Sequence, residues 1–326
     1  MKYKITVITP KNKNDYLTDT VIDGLLALRE ENYDLEFYMP DSYPTDLEVL
    51  SFRKSEGDFF NYAIEADIIL FAWGKDNTNY ELAEKINRYE RTIFIDGSEI
   101  GRNGRYDEKI QKSIIEGTYE GRSKIDLEME KKCTQYLRRE KPYLRNIIPF
   151  PFGIERKYTK HYSENTKKDI DFFCVFGQDE YPIMRREVRG TLIEFCKKNN
   201  FKCFTEKTDK DNFYRMLSRS RVGISVGGGG FDTARFWEIL GNNCILLTET
   251  IDIYEPNSNR LKYERIRQFK DLSEFKLKLE KLGEYLKSEY DQDSLSSEYQ
   301  KIIVDHSSKS RVLEIIKKAK EKGIID

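Results

Sequence analysis

The first half of the chain alternates short apolar runs with segments whose apolar residues recur at helical spacing. Four runs have the length and composition of strands: Lys4–Pro10, Asp34–Pro40, Ala66–Gly74 and Arg91–Glu99. After the first run, Val21, Leu25 and Leu28 follow a helical period. Strands that alternate with helices pair in parallel through helical crossovers, so this order predicts an α/β fold with a parallel sheet covered by helices on both faces.

The second half repeats this alternation and predicts a second domain of the same kind. Its strand candidates are Asp169–Gly177, Phe201–Glu206, Val222–Val226 and Cys244–Thr248. Between the halves, Asn146–Glu155 carries prolines around aromatic residues, which favour an extended linker. We therefore place a first domain at 1–148, a second at 149–306 and a C-terminal helix at 307–326. Two such domains leave a cleft between them, where we expect ligands beyond the carboxyl ends of the strands.

Two stretches before the linker are less regular. Residues 101–121 are polar and contain glycines, so they are predicted to be rich in loops. The stretch Ile125–Glu140 is predicted to begin as a helix.

Composition and charge narrow the function classes. The chain of 326 residues balances 56 Lys and Arg against 57 Asp and Glu, so the whole-chain charge does not favour a nucleic-acid partner. Its apolar runs are far shorter than the roughly 20 residues of a membrane helix, which predicts a cytoplasmic protein with no integral membrane segment. The five dispersed cysteines are predicted to be free thiols, and His161 and His306 to be surface residues rather than metal ligands.

The most informative motif is the glycine run Gly227, Gly228, Gly229 and Gly230 between a predicted strand and a predicted helix. Glycines at such a turn let a ligand approach the backbone closely and direct N–H groups at it. The alternative is a loop that only permits close packing of the helix on the strand.

The helix after the glycines is predicted to begin near Asp232 and carries Arg235 and Glu238 on one face. An arginine can bind phosphate oxygens and a carboxylate can bind ribose hydroxyls. The alternative is an ion pair between the two side chains. Asp232 and Thr233 are counted with the ligand site, with a helix N-cap as an equally weighted alternative.

A second group of ligand candidates lies near the start of the helix after residue 177. Gly177 ends a predicted strand, and Arg185, Arg186 and Arg189 follow it. Guanidinium groups stabilise the charge that develops on a diphosphate leaving group without a metal ion, so we expect at least one arginine to contact phosphate. The alternative is a solvated helix face.

Four stretches resemble the GT-B class of glycosyltransferases, particularly bacterial group-1-like enzymes of the spore-maturation and spore-coat type. They are Cys133–Glu140 with Ile147–Gly153, Asp169–Gly177, Tyr181-Pro182 with the three arginines, and Ser218–Glu249. The resemblance implies two facing Rossmann-like domains, with an acceptor on the first and a nucleotide sugar on the second. It also implies that the C-terminal helix packs back on the first domain, although an interface is the alternative.

The resemblance also assigns roles to residues. Glu238 matches the glutamate that binds the nucleotide ribose in related families. In many relatives a second glutamate contacts the donor sugar, but Gly230 stands at that position here. The relatives also usually have a glycine shortly after the ribose-binding glutamate, and Asn243 stands at that position here. GT-B enzymes generally need no metal at the reaction centre, so no cofactor is expected beyond the nucleotide-diphosphate sugar, which is a substrate.

The sequence predicts a glycosyltransferase that acts on a glycan, lipid-linked or protein acceptor. Asp96 and Glu99, at the end of a predicted strand in the first domain, are the candidate catalytic bases, and a turn and a helix cap are their alternatives. Lys11 and Asn12 are placed beside the acceptor. A nucleotide-sugar epimerase or hydrolase of the same fold, and a non-catalytic nucleotide-sugar-binding module, remain as alternative functions.

Overall fold

The computed structural model describes residues 3–73, 75, 78–100, 108–119, 124–178, 181–255 and 257–326. The chain divides into two compact units. The first contains Met1–Gly153, Ile253–Glu255 and Ser307–Asp326, and the second contains Ile154–Asp252 and Pro256–His306. The chain therefore leaves the second unit twice, once briefly and once for good after His306.

The first unit is an α/β layer structure around a parallel sheet. Its elements before the second unit are β1 (Tyr3–Ile8), α1 (Tyr16–Glu30), β2 (Leu35–Pro40), β3 (Arg53–Lys54), α2 (Glu56–Glu65), β4 (Ile68–Trp73), α3 (Tyr80–Ile86), β5 (Thr92–Asp96), α4 (Glu108–Ile115), α5 (Leu127–Lys132), β6 (Gln135–Arg138) and β7 (Ile147–Pro149). Within the described residues the strands form one sheet in the order β3-β2-β1-β4-β5-β6-β7, and every pair is parallel. All residues of β4 and β5 are buried, as expected for central strands covered on both faces.

Two features of this unit differ from the sequence prediction. The stretch that begins as helix α5 continues as strand β6, and the start of the predicted linker is strand β7, which pairs with β6. Pro149 is tolerated there because β7 is an edge strand and one of its sides forms no ladder. Within the stretch predicted as loop, α4 is a helix, and residues 101–107 and 120–123 lie outside the described residues.

The C-terminal helix α12 (Ser308–Glu321) belongs to the first unit and packs on α1. Ser308 Oγ donates to Asp23 Oδ2 at 2.6 Å, and the absence of a side chain at Gly24 allows the two helices to meet. A Cβ at Gly24 would lie 2.3 Å from the Ser308 carbonyl oxygen and 2.6 Å from Val312 Cγ2.

The second unit is also built on a parallel sheet. Its elements are α6 (Arg156–Thr159), β8 (Ile170–Phe173), α7 (Ile183–Asn199), β9 (Cys203–Phe204), α8 (Lys210–Ser218), β10 (Ser220–Ser225), α9 (Ala234–Gly241), β11 (Ile245–Glu249), β12 (Ile266–Phe269), α10 (Leu272–Ser288) and α11 (Ser296–His306). Its described strands have the order β12-β11-β10-β8-β9, again with parallel pairs only. Strand β10 is thus central, with β8 and β11 beside it.

The prediction that both histidines lie on the surface is wrong for His306. This side chain is 1% exposed, and its ring packs 5.3 Å from the ring of Trp237 and 5.7 Å from that of Tyr263. The ring is flat and partly apolar, so aromatic neighbours can bury it once its nitrogen has a hydrogen-bond partner. His161 is half-buried, with Nε2 3.0 Å from Asp211 Oδ1.

Replacing Gly24 by alanine is expected to reduce the free energy of unfolding by about 1–3 kcal/mol, because the new methyl group meets backbone atoms that cannot rotate away. Gly190→Ala is the matched control, since Gly190 also lies within a helix but has no atom within 4 Å of its Cβ position. That control is expected to be neutral or to gain about 0.5–1 kcal/mol. Urea unfolding of both variants checks this; equal midpoints would contradict the close helix contact.

Candidate functional site

The glycine loop lies at the carboxyl end of β10, and two of its N–H groups are used within the protein. The Gly227 N–H donates to Glu249 Oε2 at 3.0 Å, and the Gly228 N–H donates to the Gly230 carbonyl at 2.9 Å. Among the described residues, the N–H groups of Gly229 and Gly230 have no acceptor. The N–H groups of Gly227 and Gly228 are thus already used within the protein, whereas those of Gly229 and Gly230 are not.

A side chain is poorly accommodated at the start of this loop. A Cβ at Gly227 would lie 3.1 Å from both Glu249 Oε2 and the Gly230 carbonyl oxygen. Glu249 is the last residue of β11, the strand next to β10. The carboxyl ends of these two strands are therefore joined by the hydrogen bond from the Gly227 N–H to Glu249. Close packing at the turn is thus a structural reason for glycine at Gly227, whether or not a ligand binds there.

Helix α9 begins at Ala234, two residues later than predicted, and the residues before it hold the loop on the helix. The Thr233 hydroxyl accepts the Phe236 N–H at 3.4 Å as the N-cap. Asp232 is fully buried and accepts the Trp237 indole N–H at 2.7 Å. These contacts favour a structural role for Asp232 and Thr233 over the ligand role proposed from the sequence, because their carboxylate and hydroxyl oxygens already serve the helix.

Glu238 is buried between two donors, and the ion-pair alternative weighed from the sequence is realised. Its Oε2 accepts from Arg235 Nη1 at 2.7 Å and its Oε1 from the Tyr214 hydroxyl at 3.0 Å. The Arg235 guanidinium also covers the ring of Phe213, 4.1 Å from its centroid. Burial, reinforced by the charge of Glu238, raises the pKa of Tyr214, so the tyrosine stays a neutral donor.

Tyr214 is a partner that sequence reasoning missed. It lies in α8, 24 positions before Glu238, and an aromatic residue in an amphipathic helix gives no signal beyond ordinary packing. The contact exists because α8 and α9 flank the same strand, β10.

Arg185 is the arginine that the structure brings to the glycine loop. Its Nη2 donates to the Val226 carbonyl at 3.3 Å, and a Cβ at Gly228 would lie 2.8 Å from that same nitrogen. Arg186 is exposed on α7, and Gly177 is exposed with no atom within 4 Å of its Cβ position. Arg185 thus brings a guanidinium to a loop whose backbone a ligand can approach closely, while the Glu249 carboxylate is occupied at its Gly227 end.

In the first unit, Asp96 is poorly suited to the role of a base. Its carboxylate is 1% exposed, forms an ion pair with Arg138, and accepts the Tyr136 hydroxyl at 2.6 Å and the Ser98 N–H at 2.8 Å. A carboxylate enclosed by a buried guanidinium and two further donors is shielded from a substrate. Asp96 does end strand β5, as predicted, but its carboxylate is enclosed there.

Glu99 remains accessible. It lies 3.1 Å from Arg139 Nη1 and 3.4 Å from Lys75 Nζ, and its side chain is 35% exposed. Burial raises the pKa of this carboxyl, but the charges of Arg139 and Lys75 outweigh burial, so the pKa lies below its usual value. Glu99 is thus ionised at neutral pH, with part of its surface open.

Asp15 joins this charged group, although sequence reasoning missed it. It is the N-cap of α1, where its Oδ2 accepts from the Thr18 N–H and hydroxyl, both at 2.8 Å. Burial raises the pKa of Asp15, while the Thr18 hydrogen bonds and the charges of Lys75 and Arg139 lower it less. An aspartate before a helical run is a cap signal that the sequence did contain.

A polar pocket of about 450 Å³ also lies in the first unit. It is lined by Lys11, Asn12, Pro40, Asp41, Ser42, Glu56, Asn79, Glu81, Leu82 and Lys85. We call it the first-unit pocket. Its two lysines are paired with glutamates, Lys11 with Glu81 at 2.6 Å and Lys85 with Glu56 at 4.0 Å.

Neither a metal centre nor a membrane-spanning helix is found among the described residues. No group of three or more His, Cys, Asp and Glu side chains in that part of the chain is placed to hold a metal ion. None of the helices there has the length and apolar character needed to cross a membrane.

The comparisons with known proteins identify the fold. No protein-family profile matches the sequence, and no curated protein matches it. Among solved structures, the chain is similar to an alpha-glucosyltransferase in complex with UDP and a 13-mer DNA containing an HMU base, with a TM-score of 0.61, 8% identity, and coverage of 98% of this chain and 100% of that one.

Two further solved structures support the same fold. A glycosyltransferase from Rickettsia africae has a TM-score of 0.55 at 8% identity and covers 98% of each chain. A protein from Anabaena in complex with UDP and glucose has a TM-score of 0.51 at 7% identity and covers 98% of this chain and 100% of that one. The predicted fold class is confirmed: the chain has the GT-B fold, with two parallel α/β units.

Replacing Asp15 by asparagine is expected to remove one pH-dependent contribution to the free energy of unfolding. Because burial raises the folded-state pKa of Asp15 above 3.8, its contribution to the free energy of unfolding falls as the pH rises from 3.8 through the folded-state pKa. Asparagine retains the cap oxygen but does not ionise. The stability of Asp15→Asn relative to the wild type should therefore rise in urea titrations as the pH is raised from 3.8 through the folded-state pKa of Asp15. A constant or falling difference would contradict it.

Proposed function

We propose that the protein is a glycosyltransferase that moves a sugar from a nucleotide-diphosphate donor to a hydroxyl acceptor. The observation that carries the proposal is that Arg185 lies against the glycine loop. This loop precedes helix α9, which bears Glu238. Backbone N–H groups and a guanidinium can bind a diphosphate, and a carboxylate on the next helix can accept hydrogen bonds from ribose hydroxyls. The finer assignment to the group-1-like, spore-coat type rests on the sequence resemblance.

In this proposal Glu238 binds the ribose even though two donors already contact it. A carboxylate has about four lone-pair sites, so its contacts with Arg235 and Tyr214 leave room for ribose hydroxyls. The two donors would fix the carboxylate's orientation before the nucleotide binds, which lowers the entropy that binding costs. Since Glu238 is 8% exposed, only a narrow edge meets the ligand.

The diphosphate would lie on the glycine loop, with Arg185 stabilising the charge that develops as the glycosidic bond breaks. The N–H groups of Gly229 and Gly230, which have no acceptor among the described residues, would be its backbone donors. This arrangement assigns the task of charge stabilisation to the protein itself, so we propose that no metal ion takes part at the reaction centre.

The acceptor would be an uncharged hydroxyl compound, such as a glycan or the sugar of a lipid-linked or protein acceptor. The first-unit pocket offers both donors and acceptors of hydrogen bonds, as a polyhydroxyl ligand requires. Its ionisable lining comprises two lysines and three carboxylates, Asp41, Glu56 and Glu81, a balance of −1. That balance disfavours a polyanion, so a nucleic-acid acceptor is not proposed.

A non-catalytic nucleotide-sugar-binding module is the second candidate. Glu238 already has Arg235 and Tyr214 as partners, and Gly230 offers no side chain to a donor sugar. This alternative predicts that the nucleotide binds but that the donor is not cleaved. An epimerase or hydrolase would instead consume the donor without an acceptor.

The donor proposal is tested by titrating purified protein with UDP, GDP, CDP, ADP and dTDP in a calorimeter. UDP is the first choice, because two of the similar structures were solved with it. Arg185→Gln should weaken binding about 10- to 100-fold, the loss of one charged hydrogen bond of about 1.5–3 kcal/mol. Arg186→Gln, next to it but exposed, should change the affinity by less than about twofold.

The result also separates the candidate functions. If no nucleotide binds, or if both arginine variants weaken it equally, the assignment of the glycine loop as the donor site is wrong. If UDP binds as expected and no donor is consumed with any of a panel of glycans, the binding-module alternative stands.

The two carboxylates of the first unit should respond differently to replacement by their amides. If Glu99 deprotonates the acceptor, Glu99→Gln should lower turnover about 10²- to 10⁴-fold with unchanged donor affinity. Asp96→Asn should instead lower the free energy of unfolding by about 3–5 kcal/mol, since it leaves the buried Arg138 without its counter-charge. Nucleoside diphosphate release and urea unfolding measure the two effects; full turnover in Glu99→Gln would exclude it as the base.

A further inference from the structure

A second pocket, of about 380 Å³, lies in the second unit. It is lined by Asn259, Arg260, Lys262, Tyr263, Lys301, Asp305 and His306. We call it the basic pocket. None of the residues proposed for donor or acceptor binding lines it.

The charge of the basic pocket is opposite to that of the first-unit pocket. Three cations, Arg260, Lys262 and Lys301, face one carboxylate, Asp305, which leaves a balance of +2. The whole chain has a net charge of −1, so this excess is local. Cations gathered around a concave surface attract an anion, because the low-dielectric wall strengthens their combined field.

The wall of the pocket is built from buried polar side chains rather than from flexible surface groups alone. Tyr263 is 9% exposed and His306 is 1% exposed. The Tyr263 hydroxyl donates to Asp305 Oδ2 at 2.8 Å and lies 3.1 Å from His306 Nε2. His306 Nε2 is also 2.9 Å from the Arg260 carbonyl oxygen, which can only accept, so this nitrogen carries the proton.

These contacts fix Arg260 and Asp305 in relation to each other. The backbone of Arg260 is held by His306, and the carboxylate of Asp305 is held by Tyr263. The Lys301 ammonium lies 5.8 Å from the centre of the Tyr263 ring, so it is placed over the same wall. The pocket therefore has a preformed base and cationic side chains at its edge, which lowers the ordering cost of binding.

We propose that the basic pocket binds a phosphate group, either free or carried by a small molecule. The charge balance selects an oxyanion, and Arg260 with the two lysines supplies the fork and point-charge donors that phosphate oxygens accept. The volume exceeds the needs of a bare ion and falls within the range of small-ligand sites, so a phosphorylated small molecule fits it best. This proposal is independent of the transferase activity.

Calorimetric titration of the full chain with inorganic phosphate, pyrophosphate and ribose 5-phosphate tests the proposal. The double variant Lys262→Gln/Lys301→Gln should lower the affinity at least about tenfold, since it removes two of the three cations that line the pocket. The matched control is Lys276→Gln/Lys281→Gln, which makes the same charge change on the exposed face of α10 and should alter affinity by less than about twofold. All four lysines are exposed, so both variants should fold.

Each outcome of these titrations either supports or overturns the proposed phosphate site. Tighter binding of ribose 5-phosphate than of inorganic phosphate supports a phosphorylated small molecule, and equal binding supports a free-phosphate site. No binding of any probe to the wild type overturns the proposal, as does equal weakening in the two double variants. Loss of binding in Arg185→Gln, with retention in Lys262→Gln/Lys301→Gln, would place the anion on the glycine loop instead and also overturn it.

Discussion

The parallel pairing of β10 between β8 and β11 is the constraint on which the candidate donor site depends. Parallel strands bring their carboxyl ends to one edge of the sheet, so the loop after β10 meets the last residue of β11. Glu249 can then accept the Gly227 N–H, and the guanidinium of Arg185 can reach the Val226 carbonyl. These two hydrogen bonds fix the turn before any ligand binds, so its backbone is already in place for a ligand that approaches closely.

Burial of charge determines which of the acidic residues are available for chemistry. A carboxylate removed from water must be paired, and Asp96 with Arg138 and Glu238 with Arg235 both obey this rule. The two carboxylates differ in exposure, because Asp96 is 1% exposed and Glu238 is 8% exposed. Glu238 also lies on the helix that follows the glycine loop. Glu99 is paired as well, but it keeps about a third of its side chain exposed.

Much of the fold could be predicted from the pattern of apolar residues, and the exceptions have physical causes. Strands β4 and β5 are uninterrupted apolar runs because helices cover both of their faces. Strand β6 reads Gln-Tyr-Leu-Arg and gave no such signal, since its polar ends are satisfied by partners elsewhere, including Arg138 by Asp96. His306 was misplaced for a similar reason, because its aromatic partners lie far along the chain.

The sequence by itself determined the alternation of strands and helices in the two units, the glycine turn before α9, and the residue types available there. Those are local properties, set by hydrophobic period and backbone freedom. Only the tertiary structure decided that Arg185 rather than Arg186 lies at the loop, that Tyr214 meets Glu238, and that a basic pocket forms around His306. These contacts join residues distant in the chain, so packing between elements, which no local pattern records, fixes them.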